Sequence, residues 1–126
     1  MRLETRKLLL DALEACHSIK KLCQGVTMQR YMAERGIKRA VEREFEISGE
    51  ALNRLSRLDE ETSARITALR RIVNFRNRLI HGYDTIDDEI VWGVVEEHLP
   101  LLTNQLESLV KEGEQSESGG DLPAKD

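Results

Sequence analysis

Apolar residues recur every three to four positions along most of the chain, which is the spacing of helices that bury one face. The pattern predicts four main helices, over residues 3–23, 40–58, 66–82 and 88–110, and one short helix over residues 28–35. Short connections between helices favour antiparallel neighbours. The sequence therefore predicts an all-α fold, an antiparallel up-and-down helical bundle of four main helices plus one short helix.

A few residues set the expected boundaries. Gly25 is expected to end the helix over residues 3–23, and Gly36 the short helix, both in the left-handed conformation. Gly82 is expected to end the helix over residues 66–82. Thr27, Asp59 and Asp87 are candidate N-caps. Pro100 lies inside the apolar pattern of residues 88–110, where its missing backbone N–H predicts a kink in the helix.

The helix over residues 40–58 has two distinct sides. Its buried side carries small residues that permit a neighbouring helix to approach closely, namely Ser48, Gly49 and Ala51. Its other side carries charges at spacings of three and four, namely Arg43, Glu46, Glu50 and Arg54. These charges are expected to form surface ion pairs, although they could also rim a site.

The length of 126 residues corresponds to one domain. We expect the helical domain to cover residues 1–112 and the Gly/Ser-rich residues 113–126 to form a disordered polar tail. No apolar run reaches the ~18 residues of a membrane span, and no signal-peptide pattern begins the sequence. The predicted location is cytoplasmic, with no membrane contact.

Cysteine and histidine spacings argue against metal chemistry. Cys16 and Cys23 lie seven residues apart on one predicted helix, too far for a disulfide, and are interpreted as reduced core thiols. Glu14 and His17 form one Glu-x-x-His pair, but a di-iron bundle needs a second pair, and none exists. No metal or cofactor is predicted. His17 and His98 are expected to be structural or exposed.

Charge is unevenly distributed. From Thr62 to Tyr83 there is no acidic residue and there are five arginines, Arg65, Arg70, Arg71, Arg76 and Arg78. The rest of the chain carries 14 Lys+Arg (19 − 5) against 23 Asp+Glu. The net charge of −4 argues against nucleic-acid binding over the whole surface, so any RNA contact is expected to be local. Arg70, Arg71 and Arg78 are candidate RNA-binding residues, with a solvated helix face, to which Arg65 would also belong, as the alternative.

Arg76 is out of place in this pattern. It falls within the apolar stripe of the helix over residues 66–82, among Leu69, Ile72, Val73, Leu79 and Ile80. An unpaired buried cation costs several kcal/mol. Its guanidinium must therefore reach a cleft or a partner, unless the stem packs on apolar surface and the head extends to water.

The stretch from Arg76 to Tyr83 reads R-N-R-L-I-H-G-Y. It resembles the Arg-x4-His signature of the HEPN superfamily, and Tyr83, two residues after His81, resembles the HepT toxin branch of that superfamily. The likeness extends over residues 1–112 as a helical pattern.

The resemblance implies a metal-independent RNA endoribonuclease, the toxin of a type VII-like toxin–antitoxin system. It implies that Arg76 and His81 are catalytic and that Asn77 supports them. Tyr83 would be AMPylated by a cognate minimal nucleotidyltransferase antitoxin, which neutralises the toxin; otherwise Tyr83 is a turn residue that stacks on the bundle end. The implied partners are RNA, the antitoxin and a second copy of the chain, and a larger complex with the antitoxin is left open.

The residue chemistry agrees with cleavage that needs no metal. Histidine, with an unperturbed pKa of ~6.5, can move protons at neutral pH, and the arginine fork matches two phosphate oxygens. However, at about 100° per residue, His81 lies about 140° around an ideal helix from Arg76. Either the helix frays at Gly82, or two subunits of a homodimer assemble the site. The alternative function is a noncatalytic helical dimer that binds RNA, a nucleotide or a partner protein through the same cleft.

Overall fold

The computed structural model describes residues 1–81 and 87–120, the side chains of 116–120 excepted. Seven helices lie within these ranges: α1 (Leu3–Leu22), α2 (Met28–Ala33), α3 (Arg35–Leu58), α4 (Glu60–Ser63), α5 (Leu69–Ile80), α6 (Asp88–Glu97) and α7 (Leu99–Gly120). No β-strand lies within them, so the predicted all-α fold is confirmed. None of these helices combines the length and the apolar character that a membrane crossing requires.

The central helix is α3, which packs against α1 and against α5, while α1 also packs against α7. The rings of Phe45 and Phe75 meet at 5.2 Å near the middle of α3 and α5. Arg57 near the end of α3 shares a cavity wall with Arg70 near the start of α5. The two helices therefore run antiparallel, as their short connection predicts.

The helix α1 is antiparallel to both of its neighbours. Near its start, Thr5 Oγ1 donates to Asp59 Oδ2 at the C-terminal end of α3, at 3.1 Å. Near its end, His17 Nε2 lies 3.0 Å from Glu107 Oε2 of α7. His17 thus links α1 to α7, and the predicted up-and-down bundle is confirmed.

The apolar faces read from the sequence meet in one core. Leu9, Phe45, Leu52, Ile72 and Leu106 come from four different helices and are fully buried. The short helix α2 and the helix α6 pack together at one end of the bundle. There the rings of Trp92 and Tyr31 pack together, tilted by 37°, with centroids 5.3 Å apart.

Several helix boundaries differ from the prediction, including the start of the arginine-rich helix, which is Leu69 rather than residue 66. Gly25 is left-handed, with φ +72°, as expected, but Gly36 lies inside α3, and the chain turns instead at Glu34. Pro100 does not kink one long helix. It stands in the first turn of α7, where a backbone N–H is not needed, and α6 has already ended at His98.

Two further differences concern the loops and the tail. Asp59 accepts from the Thr62 backbone N–H at 3.1 Å and caps the short α4 rather than the arginine-rich helix. The helix α7 continues to Gly120, into the stretch predicted to be a disordered tail. Gly113 is buried against Met1 and Arg6, which anchors that part of α7. The domain boundary at residue 112 stays a prediction, and the predicted turn around Tyr83 falls outside the described residues.

The closest approach between α3 and α5 occurs at Gly49. A Cβ atom at this position would lie 2.3 Å from Cβ and 2.7 Å from Cγ of Arg76, far inside van der Waals contact. The absence of a side chain at Gly49 therefore lets the Arg76 stem lie directly on the α3 backbone. This confirms the close helix approach predicted from the small residues of α3.

We expect Gly49→Ala to destabilise the protein by about 1–3 kcal/mol, because the new methyl group would push α5 away. Gly93→Ala is the matched control, since Gly93 is also helical but a Cβ there has no neighbour within 4 Å. The control should stabilise by roughly 0.5–1 kcal/mol through the lower helix propensity of glycine. Urea denaturation measures both free energies of unfolding. Equal stabilities of the two variants would mean that α3 and α5 do not touch at Gly49.

Candidate active site

The candidate active site is built on α5, whose orientation is fixed by its buried face. The buried residues of this helix are Leu69, Ile72, Val73, Phe75 and Leu79. The polar residues of the motif begin within this buried face at Arg76 and end at His81, which follows the last helical residue. Two sides of one helix therefore carry the motif.

The guanidinium of Arg76 has two partners. Its Nη2 forms a charged hydrogen bond with Glu50 Oε1 of α3, and its Nη1 donates to Asn77 Oδ1 at 2.8 Å. Only 18% of the Arg76 side chain is exposed. The cation predicted to need a partner among aliphatic residues finds it in a carboxylate of the neighbouring helix.

The sequence placed Glu50 among charges that form surface ion pairs or rim a site, but it did not identify Glu50 as the partner of Arg76. Its Oε2 accepts from Arg54 Nε at 3.0 Å, which is the surface ion pair expected from the spacing, while its Oε1 binds Arg76. Glu50 and Arg76 are 26 residues apart, so no local spacing links them. The available signal was a carboxylate next to Gly49 on the helix face that approaches α5.

A groove between α1, α3 and α5 borders Arg76. We call it the acidic groove, because its wall contains five carboxylates, Asp11, Glu14, Glu44, Glu46 and Glu50, against three arginines, Arg43, Arg54 and Arg76. Ile80 also lines it and is 44% exposed, although the sequence pattern predicted it to be buried. The excess of negative charge disfavours entry of a phosphate from this side.

His81 lies on the other side of α5. Its backbone N–H still donates to the Asn77 carbonyl at 3.2 Å, so helical geometry holds up to this residue. The separation of about 140° from Arg76 therefore persists. The side chain is exposed, and Gly82, where fraying was considered, falls outside the described residues.

Asn77 connects the two sides. It accepts from the Arg76 guanidinium, and it lies four residues before His81, a spacing that places the two Cβ atoms about 5–6 Å apart on a helix. The guanidinium is thus turned toward the side of α5 that carries His81. The structure brings Arg76 and Asn77 into contact and leaves His81 one helical turn away from Asn77.

The remaining predicted residues differ in their surroundings. Arg70, Arg71 and Arg78 are exposed and form no ion pair with any described residue. Arg65, which was grouped with them, is instead bound to Glu112 of α7, with Nη1 2.8 Å from Oε1. Tyr83 falls outside the described residues.

Among the described residues, no group of three or more His, Cys, Asp or Glu side chains could hold a metal ion. Both cysteines are free thiols. Burial raises the pKa of the Cys16 thiol to about 12, so this thiol stays protonated at neutral pH and is not a nucleophile. The reactive side chains of the site are therefore those of the motif on α5.

Comparison with known proteins identifies the family of the chain. The sequence profile of the family described as "Ribonuclease HepT-like" matches residues 12–109. The chain belongs to the HepT-like ribonuclease family. The matched stretch runs from the middle of α1 to near residue 110 of α7 and contains the whole motif of this HepT-like chain.

Curated relatives of the HepT-like chain come from three genera, Thermococcus, Methanocaldococcus and Caldanaerobacter. The Thermococcus cleftensis protein named "Probable ribonuclease HepT" is 29% identical over 115 residues, covering 88% of this chain and 100% of the relative. A Methanocaldococcus jannaschii protein that carries an RNase name is 28% identical over 117 residues, covering 91% and 96%. A protein of Caldanaerobacter subterraneus subsp. tengcongensis, also with an RNase name, is 24% identical over 106 residues, covering 84% and 94%. No solved structure matches the chain significantly.

Proposed function

We propose that this HepT-like protein is the toxin of a type VII-like toxin–antitoxin system and cleaves RNA without a metal ion. One observation carries the proposal: Glu50 holds Arg76, Arg76 donates to Asn77, and Asn77 lies one turn before His81. The guanidinium of Arg76 and the imidazole of His81 thereby lie on either side of Asn77. The ribonuclease names of the relatives support the choice of RNA as substrate.

In the proposed reaction the RNA supplies its own nucleophile. His81 accepts the proton of a ribose 2′-hydroxyl, whose oxygen forms a bond to the adjacent phosphorus. The bond from phosphorus to the 5′-oxygen breaks, and that oxygen receives a proton from an imidazole or from water. Arg76 stabilises the additional negative charge of the phosphorane, and Asn77 keeps the guanidinium turned toward His81.

The proposed site is completed in a homodimer. Within one chain, Arg76 and His81 leave α5 in directions about 140° apart. A two-fold axis near the C-terminal end of α5 brings His81 of one subunit to the Asn77-bound end of the Arg76 guanidinium in the other, outside the acidic groove, and an isologous interface creates two such sites. Ile80, which is 44% exposed between the two motif residues, supplies apolar surface for this contact.

We further propose that a cognate nucleotidyltransferase antitoxin inhibits the toxin by modifying Tyr83. The Tyr83 hydroxyl attacks the α-phosphorus of ATP, AMP becomes attached to the tyrosine oxygen, and pyrophosphate leaves. Tyr83 follows His81 by two residues, so the added nucleotide brings bulk and a negative charge next to the phosphate site. RNA is then excluded by repulsion and by steric overlap.

A noncatalytic dimer that binds RNA, a nucleotide or a protein through the same cleft is the second candidate. The observation that favours it is that Arg76 already has two protein partners and lies mostly buried. An arginine held by these contacts can have a purely structural role, in which it packs α5 against α3. Activity separates the two candidates.

We expect the protein to cleave single-stranded RNA in EDTA, and Arg76→Ala and His81→Ala each to lower the rate about 10²–10³-fold. Arg39→Ala and His17→Ala are matched controls, because Arg39 is paired with Glu42 and His17 contacts Glu107 of α7, both away from the motif. An RNA with 2′-deoxyribose at the cleavage position should resist cleavage. RNA binding without cleavage by any form would favour the noncatalytic dimer.

Mixing the two inactive variants tests the shared site. Half of randomly formed dimers pair Arg76→Ala with His81→Ala, and each holds one intact site of two, so about a quarter of wild-type activity should return. The doubly substituted chain is the control: mixed with the wild type, it should restore nothing and lower the activity. No recovery in verified mixed dimers, or a monomer in light scattering, would contradict the shared site.

Incubation with the cognate nucleotidyltransferase and ATP should add AMP to the protein, seen as a gain in intact mass, and should abolish cleavage. Tyr83→Phe should prevent both effects. The chain has two tyrosines, and Tyr31→Phe is the matched control, since Tyr31 is fully buried and should not affect the modification. Modification that persists in Tyr83→Phe would place the acceptor elsewhere.

A further inference from the structure

Four exposed arginines without ion pairs gather on one side of the bundle. They are Arg57 near the end of α3, and Arg70, Arg71 and Arg78 of α5. None of them forms a salt bridge with another residue of the described part of the chain. Exposed cations that the protein itself leaves unpaired are available to bind an anion.

Most other arginines of the described part of the chain are paired. Six form ion pairs with carboxylates, namely Arg30, Arg39, Arg43, Arg54, Arg65 and Arg76. The protein has 23 acidic residues, so partners are plentiful. Arg70, Arg71 and Arg78 lie in the segment that contains no acidic residue, and Arg57 precedes that segment by five positions.

Polar residues of α5 form a straight stripe beside these arginines. Arg70, Asn74, Asn77 and His81 follow one another at the spacing i, i+4, i+7, i+11, which keeps them on one stripe of α5. The stripe is about 16 Å long at 1.5 Å per residue. Arg71 and Arg78 flank it on the side away from the acidic groove.

The stripe continues into a cavity at the start of α5. Arg57 and Arg70 line this cavity, together with the polar residues Asn53, Ser56 and Thr67 and one carboxylate, Glu60. We call the surface formed by Arg57, Arg70, Arg71, Asn74 and Arg78 the basic track. It leads from His81 along α5 to the C-terminal end of α3.

The basic track offers charge and amides but no ring on which a base could stack. Tyr31, Phe45, Phe75 and Trp92, the aromatic residues of the described chain, are all buried. Binding of single-stranded nucleic acid without exposed rings depends mainly on the phosphates and discriminates little between bases. The deep, narrow major groove of an A-form RNA duplex does not admit side chains, so a track carried by one helix is better suited to the backbone of a single strand.

We infer that the basic track binds the phosphate backbone of single-stranded RNA on one side of the cleavage position, with Arg57 as its outermost contact and with little base preference. The position of the reacting phosphate at the His81 end rests on the proposed nuclease function. The binding surface itself does not, because it follows from the unpaired arginines. The two can therefore be tested separately.

The test measures binding of a 2′-O-methyl single-stranded RNA of about 12 nucleotides, which lacks the attacking hydroxyl, by fluorescence anisotropy. Arg57→Gln and Arg70→Gln should each weaken binding roughly five- to tenfold. Each should also reduce the slope of log K against log salt by about 0.7. Arg39→Gln, which removes an arginine already paired with Glu42, is the matched control and should change neither quantity.

Shortening the RNA from one end identifies the contact with Arg57. Once the nucleotides that reach Arg57 are removed, Arg57→Gln should no longer weaken binding, while Arg70→Gln still should. Thermal melting of each variant controls for loss of folding. A base change within the RNA should alter the affinity less than either arginine substitution.

The outcomes separate this inference from the proposed function. Arg57→Gln and Arg70→Gln that bind like Arg39→Gln would overturn the basic track even if cleavage is observed. Arginine-dependent binding without any cleavage would uphold the track and remove the nuclease. Tighter binding of duplex RNA, with the same dependence on the arginines, would overturn the assignment to a single strand.

Discussion

The ion pair between Arg76 and Glu50 joins the two helices on which the candidate site depends. A cation within the buried face of α5 is tolerable only because α3 presents a carboxylate at the same level, and the carboxylate can reach it only because Gly49 keeps the two backbones close. Packing and electrostatics are therefore coupled at this point. The buried face of α5 sets its orientation, and this contact fixes the level at which Arg76 meets α3.

The helices and their buried faces were predictable, since helical periodicity is a local property of the sequence. Gly25, Thr27 and Asp87 end or begin helices as expected, because each acts on its own turn of backbone. Gly36 and Pro100 were misjudged for a related reason. Glycine permits a left-handed turn without requiring one, and proline in a first turn begins a helix as readily as it breaks one.

The site was only partly predictable. Arg76, Asn77 and His81 are identified by a short motif, but the partner of Arg76 depends on the register between two antiparallel helices. Among 23 acidic residues, nothing in the order of the sequence selects Glu50. The same limit explains why Arg65 was grouped with the unpaired arginines, although α7 brings Glu112 to it from 47 positions away.

The two faces of α5 have opposite electrostatic surroundings. The acidic groove borders Arg76 on one side, and unpaired arginines surround the stripe that ends at His81 on the other. A helix that separates acidic from basic surface in this way gives a polyanion one favourable direction of approach. Asn77 accepts a hydrogen bond from the mostly buried Arg76 and lies on the stripe that ends at His81, so it links the two sides of α5.

The antiparallel order of the helices also determines where the two ends of the described chain lie. Thr5 contacts Asp59, and Arg65 contacts Glu112, so the start of α1, the start of α5 and the later part of α7 share one end of the bundle. His81 lies at the other end, a full α5 length away. A fluorophore or fusion partner attached at Met1 would therefore project away from the motif, which suits the protein to immobilisation and single-molecule observation without obstruction of the candidate site.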